Sequence, residues 1–218
     1  IQSAFWSMLG DHTVVIPHGV DPTYLSSNQN ANRDKFLLSV SDIYVQKNFT
    51  SLIRAVANLR ECIPDIQLKV AGSPLDADYF AALKALIVEQ DLDEHVEFLG
   101  HVPVTELKEL FGRCRIFVFP STVETFGNPL VEAMACGAPI ASSNTAAMPE
   151  VLGEAAVYFD PHDVDNITEV LRKLYNDPDA RKDLTYKARK RAKLYAWEET
   201  KKRTLEVIRD SEEALLSK

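Results

Sequence analysis

Short runs rich in β-branched and aromatic residues recur along the chain: TVVI at 13–16, FLLSVS at 36–41, IQLKVAG at 66–72, HVEFLG at 95–100, RIFVFP at 115–120, APIAS at 138–142 and AAVYF at 155–159. Their length and composition predict strands. Between them apolar positions take helical spacing. The clearest case is 49–60, where Phe49, Leu52, Ile53, Val56 and Leu59 follow a period of about 3.6 residues. Strands alternating with crossover helices imply an α/β, doubly wound, parallel sheet of Rossmann-like type with right-handed connections. After about residue 163 the strand signals stop and helices fill the chain to Lys218. No internal repeat, low-complexity tract or linker breaks the pattern, so 1–218 reads as one domain.

Composition narrows the function classes. With 218 residues and 46% hydrophobic content the chain can bury a full core. A net charge of -8 opposes nucleic acid as the main partner, because such binders present a basic face, but leaves room for a small anionic ligand. Cys62, Cys114 and Cys136 are widely spaced in apolar surroundings and read as reduced core residues of a cytoplasmic protein, with no zinc site. No apolar run approaches a membrane span. The opening IQSAFWSMLG has neither a basic signal-peptide region nor an initiating Met, which is the expectation for a piece of a longer protein.

The segment ETFGNPLVEAMACGAP at 124–139 carries the most chemistry. Asn128 is a favoured N-cap, Pro129 suits the first helical position, and Gly137 followed by Pro139 supplies the stop, so a helix is expected from about Pro129 to Cys136. Its unpaired N–H groups at Leu130 and Val131, with the positive end of the helix dipole, suit an anion such as a phosphate. Gly127 lets that anion approach the backbone. Glu124 lies on the loop before the turn and Glu132 one turn into the helix. Taken alone, the segment also fits a capped surface helix. The loop at 120–128 directly follows a strand, however, and ligands of doubly wound sheets bind outside the carboxyl ends of strands.

Two further positions lie at such ends. Lys47 follows the strand at 36–41 and stands at the first turn of the helix beginning near Asn48, where a cation opposes the dipole by about 0.3 to 1 kcal/mol. A local rule broken there points to function, with a solvated surface lysine as the alternative. Gly72 ends the strand at 66–72 and either keeps a cleft open or makes a plain turn.

Together these features resemble the retaining glycosyltransferases of the GT-B fold, specifically the group 1 (family 4) enzymes, and only their C-terminal, donor-binding half. The markers are VIPHGVD (15–21), VQKN (45–48), LKVAGS (68–73), VEFLGHVP (96–103), FVFPSTVETFGNPLVEAMACGAPIASS (117–143), MPEVLGEAAVYFDP (148–161) and YAWEET (195–200). The resemblance implies that Glu132 accepts hydrogen bonds from ribose hydroxyls, that Glu124 faces the donor sugar, and that Lys47 neutralises the leaving diphosphate. It also implies that the Phe126, Gly127, Asn128 and Leu130 backbone holds sugar and diphosphate, and that the backbone near His101 and Val102 reads the base. The implied donor is a GDP- or UDP-sugar used as substrate, without metal or other cofactor. The implied acceptor is a saccharide or a lipid-linked saccharide, held by an N-terminal domain absent from this chain. SAFWSML and the helix after Trp197 resemble the segments that join the two halves.

The sequence departs from the family pattern at one point that bears on chemistry. The family commonly carries V-G-R before the lysine, whereas this chain reads Val40, Ser41, Asp42. Either Ser41 and backbone N–H groups take the place of the arginine, or another residue reaches in, or the donor is held less tightly. His18 stands where asparagine is frequent and reads as a loop histidine. The basic run Lys187, Arg189, Lys190, Arg191 and Lys193 fits either peripheral contact with an anionic membrane or a solvated helix face. Two other functions share such a cleft: a GT-B sugar-nucleotide epimerase and a non-catalytic nucleotide-sugar-binding module.

Overall fold

The run Phe36–Val40 is buried at every position, which requires a strand covered on both faces. In the computed structural model, which describes residues 14–25 and 33–216, it forms the interior of a six-stranded sheet. The elements in chain order are α1 (Pro22–Leu25), β1 (Phe36–Val40), α2 (Phe49–Arg60), β2 (Gln67–Ala71), α3 (Ala77–Glu89), β3 (Val96–Gly100), α4 (Val104–Arg113), β4 (Ile116–Phe119), α5 (Asn128–Ala135), β5 (Ile140–Ser143), α6 (Met148–Leu152), β6 (Ala156–Phe159), α7 (Val164–Asn176), α8 (Pro178–Ala192) and α9 (Trp197–Leu216). The strand order is β3-β2-β1-β4-β5-β6 and every pairing is parallel. All six carboxyl ends therefore lie along one edge, and the order reverses between β1 and β4.

Alternation along the strands splits the core in two. Phe36, Leu38, Phe117, Phe119 and Ile140 pack on one face with Leu130 and Met134 of α5, Val151 of α6 and Ala188 of α8. Leu37, Ile116, Val118 and Ala141 pack on the other with Phe49, Leu52 and Val56 of α2, Leu83 of α3 and Ile167 and Leu171 of α7. Helix α2 has the predicted bounds. The six strand runs from 36 to 159 form strands, each within a residue or two of its expected ends.

TVVI departs from expectation: residues 14–16 form no strand, and the first backbone-to-backbone hydrogen bond to the fold among the described residues is that of Val20, whose N–H donates to Tyr195 O at 2.6 Å. The apolar content of that run is partly exposed, with Val14 at 58% and Val15 at 51%, so no core demands a strand there. SAFWSML lies outside the described residues. The helix following Trp197 is present as α9, pinned to the start of the described chain where Thr200 Oγ1 donates to Pro17 O at 3.0 Å. Cys114 and Cys136 are buried as expected, but Cys62, just past the end of α2, is exposed.

The basic run in α8 is largely spent on the fold. Lys187 pairs with Asp183 at 2.7 Å, Arg191 donates to Val151 O and Glu150 O at 2.6 and 2.5 Å, and Arg189 packs over Gly137. Lys190 and Lys193 remain exposed. No helix among the described residues is long and apolar enough to cross a membrane.

Gly72 has a packing role. A Cβ built on it would stand 1.9 Å from Ser41 O, so the ends of β1 and β2 approach only because it has no side chain. Gly72→Ala is expected to force them apart and destabilise the domain by about 3 kcal/mol or more, read from the denaturant midpoint. Near-wild-type unfolding would show that the contact is not needed.

Candidate active site at the carboxyl edge of the sheet

The loops leaving β1 and β4 flank the reversal of strand order, where a crevice opens in sheets of this type. They carry Lys47 and Glu124. Beyond β1 the chain passes through Ser41 and Asp42 into the 3-10 turn Val45–Lys47, and the buried Lys47 Nζ donates to Glu124 Oε1 in an ion pair. The amine also stands 5.0 Å from the centre of the Tyr44 ring and 5.8 Å from that of Phe119, surfaces that favour a cation. Burial works against its charge, but the hydrogen bonds with Glu124 and Tyr44 outweigh it and raise the Lys47 pKa. The amine is thus held charged. Lys47 does not lie in the first turn of α2, as the spacing suggested, because Asn48 intervenes with φ 55° and ψ 36° and turns the chain.

The loop after β4 is fastened on both sides of Lys47. The Thr122 N–H donates to Gln46 O at 2.9 Å, and Asn48 Nδ2 donates to Pro120 O at 3.2 Å. From β5, Ser143 Oγ donates to Ser121 O at 2.6 Å. Four residues beyond Pro120, Glu124 inherits this placement.

At the start of α5 the N-cap is Gly127, with φ 82°, rather than Asn128, whose side chain makes no cap bond and is exposed. The left-handed turn explains the shift, since it suits glycine, and a Cβ there would come 2.9 Å from Leu130 Cδ1. Leu130 N–H donates to Gly127 O at 2.9 Å, so it is not one of the open donors expected. The N–H of Gly127 takes no acceptor among the described residues. Gly137, with φ 68°, ends α5 as predicted, with Ala138 N–H reaching Ala133 O at 2.9 Å in a Schellman closure. Phe126 is half-buried, its ring 5.8 Å from His18 and 5.7 Å from Tyr195.

Glu132 stands one turn into α5, half-buried, and no donor reaches it among the described residues. Burial pushes its carboxyl up to about 7, with the charge of Asp21 adding to the effect. Asp21 stays ionised because the N–H and hydroxyl of Thr23 donate to it at 2.8 and 2.7 Å. A carboxylate kept at this cost is suited to accepting hydrogen bonds from ligand hydroxyls.

Along β1, β2 and β3 the strand ends are tied together. Ser41 N–H donates to Ala71 O at 3.0 Å, and Gly72 N–H to Gly100 O at 2.8 Å. Past Gly100, His101 is exposed and Val102 packs half-buried on the core. Asp42 is occupied: its Oδ1 accepts from Ser73 N–H at 3.0 Å, which turns it towards the end of β2. Arg33 does not supply the family's second cation, since its guanidinium, ahead of β1, donates to the carbonyls of Phe111, Gly112, Cys114 and Gly137.

The structure therefore places Glu124, Phe126 and Gly127 on the turn between β4 and α5, Asn128, Leu130 and Glu132 in the first turns of α5 and Lys47 on the loop facing them, with Ser41, Gly72, His101 and Val102 on adjoining strand ends. Sequence reasoning missed Tyr44, Asn48 and Asp21. For Asn48 a signal existed, since asparagine at a strand-to-helix junction readily takes the left-handed conformation. Among the described residues no cluster of His, Cys, Asp or Glu is arranged to hold a metal ion.

Comparison with known proteins converges on one family. The family described as "Glycosyl transferases group 1" matches residues 21–191. The O-antigen chain mannosyltransferase B of Escherichia coli is 38% identical over 110 residues, covering 50% of this chain and 29% of that protein. The chain spans about a quarter to a half of the length of the curated relatives it matches. Among solved structures, Anabaena Alr3699/HepE in complex with UDP superposes with a TM-score of 0.84 at 22% identity, over 96% of this chain and 61% of that one. The C-terminal domain of a glycosyl transferase group 1 family protein from Francisella tularensis gives a TM-score of 0.70 at 23% identity, over 80% of this chain and 97% of that one. These likenesses show the same fold.

Glu132 generates a pH-dependent prediction. Its carboxyl titrates near 4.5 when free and near 7 in the fold, so its ionisation costs stability, absent below about pH 4.5 and fully present above about 7. Glu132→Gln should therefore stabilise the free protein by about 1 to 3 kcal/mol at pH 8, with the gain in Tm vanishing towards pH 4.5. A gain independent of pH would show that the carboxyl is not perturbed.

Proposed function

Because the chain belongs to the glycosyl transferases of group 1, we propose that it is the donor-binding domain of an enzyme that moves a hexose from a GDP- or UDP-sugar to a saccharide or lipid-linked acceptor with retention. The observation that carries this reading is the Lys47–Glu124 ion pair, set beside the Gly127 turn with Glu132 one helical turn beyond. The mannosyltransferase relative and the UDP complex support the sugar and nucleotide classes respectively.

The residues divide the work by charge. The donor diphosphate approaches Lys47 and displaces Glu124, which is freed to accept hydrogen bonds from sugar hydroxyls. Glu132 accepts from the ribose, and binding there draws its carboxyl into the ionised form. As the bond between anomeric carbon and phosphate oxygen breaks, negative charge grows on the diphosphate and positive charge on the sugar. In this scheme Lys47, the N-terminus of α5 and the Gly127 backbone meet the former. In front-face attack the leaving phosphate oxygen takes the acceptor's proton, which preserves configuration. With an amine and a helix end neutralising the phosphates, the reaction is expected to run without a metal ion.

Two measurements test this. Lys47→Ala should weaken UDP or GDP binding by about ten- to a hundred-fold in calorimetry, as expected for loss of a charge-assisted contact, whereas Glu124→Gln should leave that affinity unchanged or tighter and still lower turnover of the full-length enzyme. If Glu124→Gln weakens nucleotide binding as much as Lys47→Ala, the displacement scheme is wrong. Nucleoside diphosphate should be released from the donor only when acceptor is added, and at the same rate in EDTA. Release without acceptor would favour the epimerase or hydrolase class, and collapse in EDTA with rescue by magnesium or manganese would overturn metal independence.

A further inference from the structure

Asn48 makes the connections expected of a residue that fixes the reactive pair, although it has no free group to offer a ligand. Its backbone is left-handed, the N–H closing the 3-10 turn on Val45 O at 3.1 Å and the carbonyl accepting from Leu52 N–H at 3.4 Å to open α2. Its side chain spans two strand ends and the first turn of α2. Nδ2 donates to Pro161 O at 2.7 Å, beyond β6, and to Pro120 O at 3.2 Å, beyond β4, while Oδ1 accepts from Ser51 Oγ at 2.8 Å on α2. Both donors and the acceptor of the amide are thus committed within the protein. Lys47 is the adjacent residue on one side of this junction, and Glu124 lies on the loop that leaves Pro120.

A left-handed position is most cheaply filled by glycine, and asparagine tolerates it at some cost. Its amide here closes the gap between loops that carry opposite members of a largely buried ion pair. We propose that Asn48 is a positioning residue: by binding the Pro120 and Pro161 carbonyls, it sets the distance between Lys47 and Glu124 and hence the place where the donor's leaving group is met. The proposal rests on the reading of that pair as donor-handling groups. Asn48 touches no substrate, so its effect should fall on the reaction more than on ligand affinity.

Three substitutions in the full-length protein separate backbone from side chain. N48G keeps the left-handed turn and removes the amide, N48A removes the amide and strains the turn, and N48D puts an oxygen against two carbonyls. The readouts are Kd for UDP and GDP, kcat for nucleoside diphosphate release from whichever of UDP-glucose and GDP-mannose the wild type consumes with acceptor, and Tm. Misplacement of a catalytic group by about an ångström should lower kcat of N48G by about ten- to a hundred-fold, with Kd changed by no more than about threefold, and N48D should be at least as impaired. N48G with wild-type kcat beside an impaired N48A would overturn the proposal, since only the turn conformation would then matter. Should N48G fail to fold, Ser51→Ala, which frees the Asn48 Oδ1, must show the same split in smaller measure, and an unchanged kcat there would overturn it. If the wild type binds neither UDP nor GDP, it is the functional reading that fails. If it binds and turns over while N48G matches it, the positioning role alone fails.

Discussion

A lysine and a glutamate taken out of water together are stable only while each neutralises the other and the backbone keeps them in register. Lys47 and Glu124 meet that condition because the parallel sheet delivers the ends of β1 and β4 side by side, and because Gln46, Asn48 and Ser143 hold the β4 loop by its own carbonyls and N–H groups. Had the strand order not reversed between β1 and β4, the two loops would diverge and the pair could not form. In the proposed function the same arrangement gives the pair its use. A diphosphate can replace the glutamate as counter-ion to Lys47 without leaving a buried charge alone, so exchange costs far less than opening an empty pair.

Glu132 shows the other side of this design. It is kept half-buried beside a charged Asp21 and without a donor, so its ionisation opposes folding. The Arg33 guanidinium, by contrast, is received by four backbone carbonyls. In the proposed function this carboxylate exchanges stability for a binding surface.

Most of the sheet was legible because burial on both faces leaves strong runs such as Phe36–Val40 and Ile116–Phe119, and α2 because its apolar stripe keeps one period throughout. The misreadings have local causes. TVVI has strand composition but no sheet neighbour to pair with. Asn128 is an excellent cap by type, yet Gly127 took the left-handed turn that actually starts α5. Gly72 leaves an open cleft and a plain turn equally possible in sequence, and the close approach of Ser41 O that it permits comes from a strand 31 residues away. The tie through Asn48 to Pro120 and Pro161 joins residues 72 and 113 positions apart, and no local pattern announces a contact of that range. Glu124, Glu132 and Lys47, by contrast, stood out because their spacing around turns and helix ends already implied a common edge.

The most direct measurement is a crystal structure of the protein with UDP or GDP bound. Lys47 Nζ should then lie within hydrogen-bonding distance of a phosphate oxygen and have parted from Glu124 Oε1, with the ribose hydroxyls on Glu132. A nucleotide bound elsewhere, or an ion pair left intact beside it, would contradict the exchange on which the site depends.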